Sequence, residues 1–162
     1  MAVVLEPIGV VRTGAPDEEV RREPREVRGE VEVFDPYAPG LEGIDGFSHL
    51  FLLTFLDRVG PERRGTLRVR PRGLLRFGLS EEELPEIGVF ASDSPVRPNP
   101  IGLSVVELLG RRGPRLEVRG LDVFDGTPVL DLKPYTPDRV VAEPRTPGWH
   151  RELLRRAGVD RV

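Results

Sequence analysis

Hydrophobic residues in this chain come in short runs, rich in valine, isoleucine, leucine and phenylalanine and bounded by glycine and proline. Runs of that length and composition predict strands separated by turns. Gly29-Glu30-Val31-Glu32-Val33 and Leu116-Glu117-Val118-Arg119 alternate polar with apolar, so each should turn one face to water. The run His49–Leu56 is nearly all apolar and predicts a strand buried on both faces. In all, the pattern predicts strands over Pro7–Arg12, Arg28–Phe34, Ser48–Leu56, Thr66–Arg70, Glu86–Ala91, Leu103–Gly110, Arg115–Leu121 and Pro128–Lys133. Helix signals are few. Ser80-Glu81-Glu82-Glu83 resembles a capping box, and Pro85 stops that helix after little more than a turn. A second helix is predicted from about Trp149 to Ala157, with Gly158 just past its end. The fold class expected is mainly β: a single closed or nearly closed β-barrel with a short C-terminal helix. One domain is expected over 1–162, with the barrel at about 5–137 and an extension and helix at about 138–162.

Composition narrows the function. The 162 residues make a chain that buries roughly 70% of its unfolded surface and needs no disulfide or metal to hold it. With no cysteine, disulfides, thiol nucleophiles and Cys-based zinc sites drop out. His49 and His150 are the only histidines, so no metal site is expected. No apolar run approaches the ~20 residues that span a bilayer, and MAVVLEPIGVV lacks a basic leader; the expected location is the cytoplasm. No strand runs into Gly-x-Gly-x-x-Gly and no Gly-x-x-x-x-Gly-Lys occurs, which excludes the α/β nucleotide-binding folds. A net charge of −3 does not advertise a nucleic-acid partner. Lys133 is the only lysine, Asn99 the only asparagine, Met1 the only methionine, and glutamine is absent. Loss of these thermolabile types fits a thermophile; the arginine bias fits a GC-rich genome as well. Against that bias Asn99 and Lys133 stand out, although composition alone favours an incidental turn or surface position for each.

Two stretches carry candidate chemistry. In Gly88–Ser104, GVFASDSPVRPNPIGLS, a strand enters a loop stiffened by Pro95, Pro98 and Pro100 and a second strand leaves it. Asp93, Arg97 and Asn99 are displayed from that loop. A stiff polar loop suits a preorganised site; a rigid structural turn whose arginine pairs with an acid suits the pattern as well. In Asp122–Pro137, DVFDGTPVLDLKPYTP, Asp125-Gly126 signals a turn. Exposed amides and a carboxylate there fit a ribose or an amino-acid head group, and an ordinary hairpin turn is the simpler alternative. Asp131, Lys133 and Tyr135 alternate and so share one side of a regular strand.

These stretches carry a resemblance. Pro7-Ile8-Gly9-Val10-Val11-Arg12, Phe47-Ser48-His49-Leu50, Gly88-Val89-Phe90-Ala91, RPNPIGLS at 97–104 and DGTPVLDLKPY at 125–135 resemble the TrmO (TsaA-like) family in order and spacing, from about Pro7 to Pro137. The resemblance is to the short single-domain form. It implies a β-barrel that binds S-adenosylmethionine, usually as a homodimer with the cofactor near the interface. It also implies methylation of N6 of threonylcarbamoyl-adenosine at position 37 of tRNA, beside the anticodon. Carried over by position, the cofactor contacts fall on Pro24, Arg25 and Glu26, on Asp57 and Arg58, on Asp93, on Leu103, and on Asp125, Gly126, Thr127 and Pro128. Glu26 stands where glutamine is usual, Asp57 where histidine is usual, and Asp93 where the bacterial tRNA enzymes have arginine. Carboxylates suit the cofactor's sulfonium and ammonium and oppose its carboxylate or an RNA phosphate.

Methyl transfer from sulfonium to nitrogen is an in-line displacement that depends chiefly on alignment, with a base where the nitrogen loses a proton. Asp131, Lys133 and Tyr135 are the candidates, with Arg97 and Asn99 orienting the base or cofactor; a structural Asp131–Lys133 ion pair is the competing role. Arg68, Arg70 and Arg72 alternate along one predicted strand, near Arg63, Arg64 and Arg76. Such a row meets phosphates or forms a solvated face balanced by glutamates. Two other functions compete with tRNA methylation: the same barrel methylating a small metabolite, and a non-enzymatic module that binds the cofactor or a partner.

Overall fold

The computed structural model describes residues 1–159; residues 160–162, the last of the expected C-terminal extension, lie outside the described residues. A strand forms at every predicted run, β6 extending past its run by two residues at each end and β8 by one: β1 Gly9–Arg12, β2 Arg28–Val33, β3 His49–Phe55, β4 Arg68–Val69, β5 Ile87–Gly88, β6 Ile101–Arg112, β7 Arg115–Arg119 and β8 Pro128–Pro134. Six of them close an antiparallel barrel in the order β1-β2-β7-β6-β3-β8. β4 and β5 pair only with each other. They are shorter than predicted because Pro71 follows β4 closely and Val89–Ala91 winds into a single 3₁₀ turn.

A barrel wall has an inside and an outside, and this corrects the expectation for β3. Leu50, Leu52 and Thr54 point inward and are fully buried, whereas His49, Phe51, Leu53 and Phe55 are only half-buried on the outer face. The interior is filled by Val11, Val31, Leu50, Leu52, Val106, Leu116, Val118 and Val129, contributed by every barrel strand. Alternation in β2 and β7 behaves as predicted, with Val31, Val33, Leu116 and Val118 buried.

Strand order decides where the connections go. β7 and β8 are consecutive in the chain but lie on opposite sides of the barrel. Residues 120–127 therefore cross one end of the barrel, here called the upper end, and Leu121 and Val123 plug it. The same end carries residues 13–27, between β1 and β2, and residues 56–100, between β3 and β6. The first of these holds α1, Asp17–Arg22, a helix the hydrophobic pattern did not predict because Val20 is its one buried residue. Its legible signal was electrostatic: acids in the first turn and arginines in the last, matching the helix dipole.

The C-terminal helix α2, Gly148–Arg156, ends one residue earlier than predicted, with Gly158 in the left-handed region beyond it. Leu153, Trp149 and Ala157 pack on Leu74, Leu75, Leu79 and Leu84 of the 56–100 connection, making a second small core. Ser80 and Glu83 form the predicted capping box there. The Ser80 backbone N–H, first among the causes, holds the Glu83 carboxyl below its usual pKa. No helix among the described residues is long and apolar enough to cross a membrane.

Candidate functional site

Every position carried over for the cofactor lies at or beside the upper end. Pro24–Glu26 form a 3₁₀ turn just before β2. Asp57 and Arg58 leave the end of β3, Asp93 sits in the 56–100 connection, Leu103 is the third residue of β6, and Asp125–Pro128 lead into β8. They fall into two clusters joined by α1. In the first, Arg58 pairs with Asp17 of α1 and lies 4.4 Å above the Phe124 ring, on which Arg21 also stacks at 4.8 Å. The turn after Phe124 is held on several sides. The Thr13 N–H donates to Asp125 Oδ1 at 2.9 Å, the Gly126 N–H donates to the Val11 carbonyl at 2.9 Å, and the Thr127 hydroxyl donates to the Phe124 carbonyl at 2.7 Å. Gly126 has φ +81°, a region costly for a residue with a Cβ. A turn forms at Asp125-Gly126 as predicted, but it is not a hairpin turn, since β7 and β8 are not neighbours.

The second cluster surrounds an open cavity of about 760 Å³, lined by Pro24, Arg25 and Glu26 on one side and by Ser104, Gly120 and Asp122 on another. Arg76 and Phe77 form a further wall, with the Arg76 guanidinium 4.8 Å above the Phe77 ring. Along the crossing segment, Leu121 and Val123 point down into the barrel. Asp122, between them, points up into the cavity and takes the Ser104 hydroxyl as donor to its Oδ1. The residue meets solvent in the open cavity, yet its carboxyl is crowded by protein. That crowding is the first cause raising its pKa above the ordinary carboxylate value; the Ser104 hydroxyl opposes it, neighbouring Asp93 adds to it and Arg76 subtracts from it. The motif reading passed over Ser104 and Asp122, although they stand at the end of RPNPIGLS and the start of DVFDGTPV. Nothing in a linear pattern says that a strand residue and a crossing segment meet.

Asp131 and Lys133 lie on the outer face of β8, and Tyr135 follows just past its end. The register sets Leu103, Leu53 and Asp131 in one row across β6, β3 and β8, and Val105, Phe51 and Lys133 in the next. Val105 lines the cavity, so Lys133 stands about 10 Å from it, two strand spacings away. Lys133 pairs with Asp131 at 2.8 Å, and Asp131 Oδ1 also accepts the Leu132 N–H. Tyr135 packs edge-on against Phe51 and His49, with ring centres 5.1 and 6.3 Å away. Barrel stagger brings His49, the first residue of β3, into register with Glu107 and through it with Arg119, the last residue of β7. His49 therefore lines the cavity, and Tyr135 packs on its ring.

Arg97 and Asn99 are not brought into that cavity. Arg97 is half-buried, with its guanidinium 3.5 Å from the Val89 carbonyl; no carboxylate partner for it occurs among the described residues. Asn99 is exposed and lines a separate hollow of about 400 Å³ with Pro98, Pro100, Phe55 and Arg64. The arginine row is also rearranged. β4 ends at Val69, so Arg70 and Arg72 do not continue an alternating strand. Arg68 pairs with Glu86 and Arg72 with Glu81, and Arg70 donates to the Leu84 carbonyl.

The geometry meets its relatives at this point. The model of the tRNA-methyltransferase O N-terminal domain matches residues 11–139, from within β1 to just past β8. The chain belongs to that family. An S-adenosyl-L-methionine-binding protein of Archaeoglobus fulgidus is 42% identical over 84% of this chain and 91% of its own length. The tRNA (adenine(37)-N6)-methyltransferase of Escherichia coli K12 is 38% identical over 82% of this chain and 57% of its own length. The crystal structure of TrmO superposes with a TM-score of 0.68 at 35% identity, over 90% of this chain and 64% of that one. The chain thus spans less than two thirds of those last two proteins. The residues matched to the TrmO family model include the barrel strands from within β1 to β8 and the connections at the upper end.

Proposed function

We propose that this protein is an S-adenosylmethionine-dependent methyltransferase acting on N6 of the adenine at tRNA position 37, and specifically on its threonylcarbamoyl form. The observation that carries the reading is the convergence of Pro24–Glu26, Asp57-Arg58, Asp93, Leu103 and Asp125–Pro128 on one end of the barrel. Family membership and the named activity of the Escherichia coli relative support it.

The residues present suit the cofactor's chemistry. S-adenosylmethionine carries a sulfonium, an ammonium, a carboxylate and an adenosine, and supplies the methyl group when bound. Glu26, Asp57 and Asp93 offer carboxylates to the cationic groups. Arg25 and Arg58 offer guanidiniums to the anionic one. The Asp125-Gly126-Thr127 turn offers the Asp125 carboxylate, an acceptor suited to ribose hydroxyls. Glu26, Asp57 and Asp93 therefore fit a cation-binding role at the positions where other family members differ.

The chain's own contribution is alignment. The pinned turn and the plugged barrel end hold the binding groups on rigid elements. Arg97 and Asn99 act from the stiff loop on the cofactor rather than on an acceptor in the cavity. Asp131, Lys133 and Tyr135 orient the acceptor along the outer wall. Lys133→Ala and Tyr135→Phe are each expected to lower the methyl-transfer rate about tenfold with cofactor affinity unchanged; full activity in both would remove β8 from the mechanism.

The assembly proposed is a homodimer, formed through the outer wall of β6. Ile101, Leu103, Val105 and Leu109 are 37–64% exposed there, an apolar surface that monomers seldom leave open, and Leu103 places it beside the cofactor. Light scattering giving a monomer at micromolar concentration would contradict this. A cytoplasmic location follows from a tRNA substrate. The deciding assay incubates the purified protein with methyl-labelled cofactor and tRNA carrying or lacking the threonylcarbamoyl group. Label in modified tRNA alone supports the reading. Label only in a metabolite pool would move the acceptor to a small molecule, and no transfer to any acceptor would leave a binding module.

A further inference from the structure

We infer that the 760 Å³ cavity receives the acceptor base and that Asp122, set in place by Ser104, takes the proton from its reacting nitrogen. This rests on the methyltransferase reading and adds a residue and a role to it.

Four observations converge. The cavity has the size of a small-ligand site and borders Pro24–Glu26, so an acceptor in it lies beside the proposed cofactor site. One wall offers the Phe77 ring with the Arg76 guanidinium stacked on it, the two planar surfaces on which extruded bases rest. Asp122 is the carboxylate that the crossing segment aims into this space, between the two plugging residues Leu121 and Val123. Ser104 is its one side-chain hydrogen-bond partner among the described residues. Asp131, by contrast, is engaged at Oδ1 by a backbone amide and at Oδ2 by Lys133.

In the step, the acceptor nitrogen forms a bond to the methyl carbon while the methyl–sulfur bond breaks and sulfur keeps the electron pair. The nitrogen's proton passes to the Asp122 carboxylate and from there to solvent through the open cavity. The raised pKa of Asp122 suits a base better than an ordinary carboxylate would. The groups that face it are Ser104 from β6, Asp93 and Arg76 from the 56–100 connection, Arg22, Glu23, Arg25 and Glu26 from the 13–27 connection, and Arg119, Glu107 and His49 along the rim.

The test measures methyl transfer to modified tRNA against pH, cofactor affinity by calorimetry and thermal stability. Asp122→Asn is expected to lower kcat about 100-fold or more, with cofactor affinity within about twofold of the parent. It should also raise the thermal midpoint at pH 7. A carboxyl whose folded pKa is raised favours the fold while protonated, below its unfolded value, and loses that advantage as pH rises through its folded value. At pH 7 the ionised, crowded group opposes folding, and asparagine removes that cost while keeping an acceptor for Ser104. A purely structural Asp122 would give lower stability instead. Ser104→Ala removes the donor that favours the carboxylate, so the acidic limb of the rate profile should move to higher pH; the ¹³C titration of the Asp122 carboxyl in the cofactor-free protein should move with it. This second variant keeps the test decisive if Asp122→Asn does not fold. Active wild type with an equally active Asp122→Asn, or an acidic limb unmoved in Ser104→Ala, overturns the proposal alone. Wild type inactive on every acceptor overturns the methyltransferase reading and the proposal together.

Discussion

Asp125→Ala is expected to weaken S-adenosylmethionine binding about 100-fold while leaving the barrel folded. Asp125 Oδ1 is the acceptor that ties the turn to the end of β1, through the Thr13 N–H at 2.9 Å. Without it the turn keeps the Gly126 bond to Val11 and the Thr127 bonds to Phe124, but its tip and the carboxylate itself are lost to the ligand. A displacement of about 1 Å in a preorganised site is enough for an effect of this size. Stability should change little, because one hydrogen bond to an exposed side chain contributes about 1 kcal/mol. Asp125→Asn separates geometry from charge: its side-chain oxygen still accepts the Thr13 N–H, so affinity that recovers in this variant assigns the loss to turn geometry. Calorimetric titration reads both variants, and an Asp125→Ala protein that binds the cofactor as the parent does would take this turn out of the site.

Gly29→Ala is expected to cost about 2–3 kcal/mol of stability, at the upper part of the range for overpacking a close contact. A Cβ on Gly29 would stand 2.4 Å from the Arg12 carbonyl oxygen and 2.7 Å from Leu121 Cδ1. The first atom is backbone in the β1 partner strand, and the second belongs to the plug of the upper end, which is fully buried. Neither yields without moving the end of the barrel that carries the site. For a chain of this length the thermal midpoint should fall by roughly 4–12 °C. Gly14→Ala is the control: it lies in the adjoining connection with nothing within 4 Å of the added atom and no positive φ. There the loss of unfolded-state freedom should leave stability unchanged or raise it by up to about 1 kcal/mol. Equal midpoints for Gly29→Ala and the parent would show that the two strands are not packed this closely.

The parts of the site differ in how far they were legible. Asp125-Gly126-Thr127-Pro128 could be read because glycine after aspartate marks a turn wherever it occurs, and Gly126 indeed sits at φ +81°. Asp131 and Lys133 could be placed on one side of β8 because alternation is a property of any strand. The arginine row misled the reading for the same reason: alternation was extended past Val69, where Pro71 and a 3₁₀ turn end the strand. Asp122 and Ser104 were illegible as a pair, being 18 positions apart on a strand and a crossing segment whose meeting depends on β7 and β8 lying across the barrel from each other.

The upper end of the barrel shows the division most clearly. Local residue chemistry by itself determined where in the chain strands form, though not their last residues, since glycine, proline and β-branched side chains act over a few residues through backbone sterics. It determined a mainly β fold, and it determined which stretches are stiff and polar. Only the tertiary structure decided that six strands close while β4 and β5 stay outside. It alone decided that three distant connections share one end, and that stagger carries His49 round to the cavity. Those outcomes depend on strand order and register, which are set by burying Val11, Leu52, Val118 and Leu121 together. That is a collective property of residues far apart in the chain, and no window of sequence contains it.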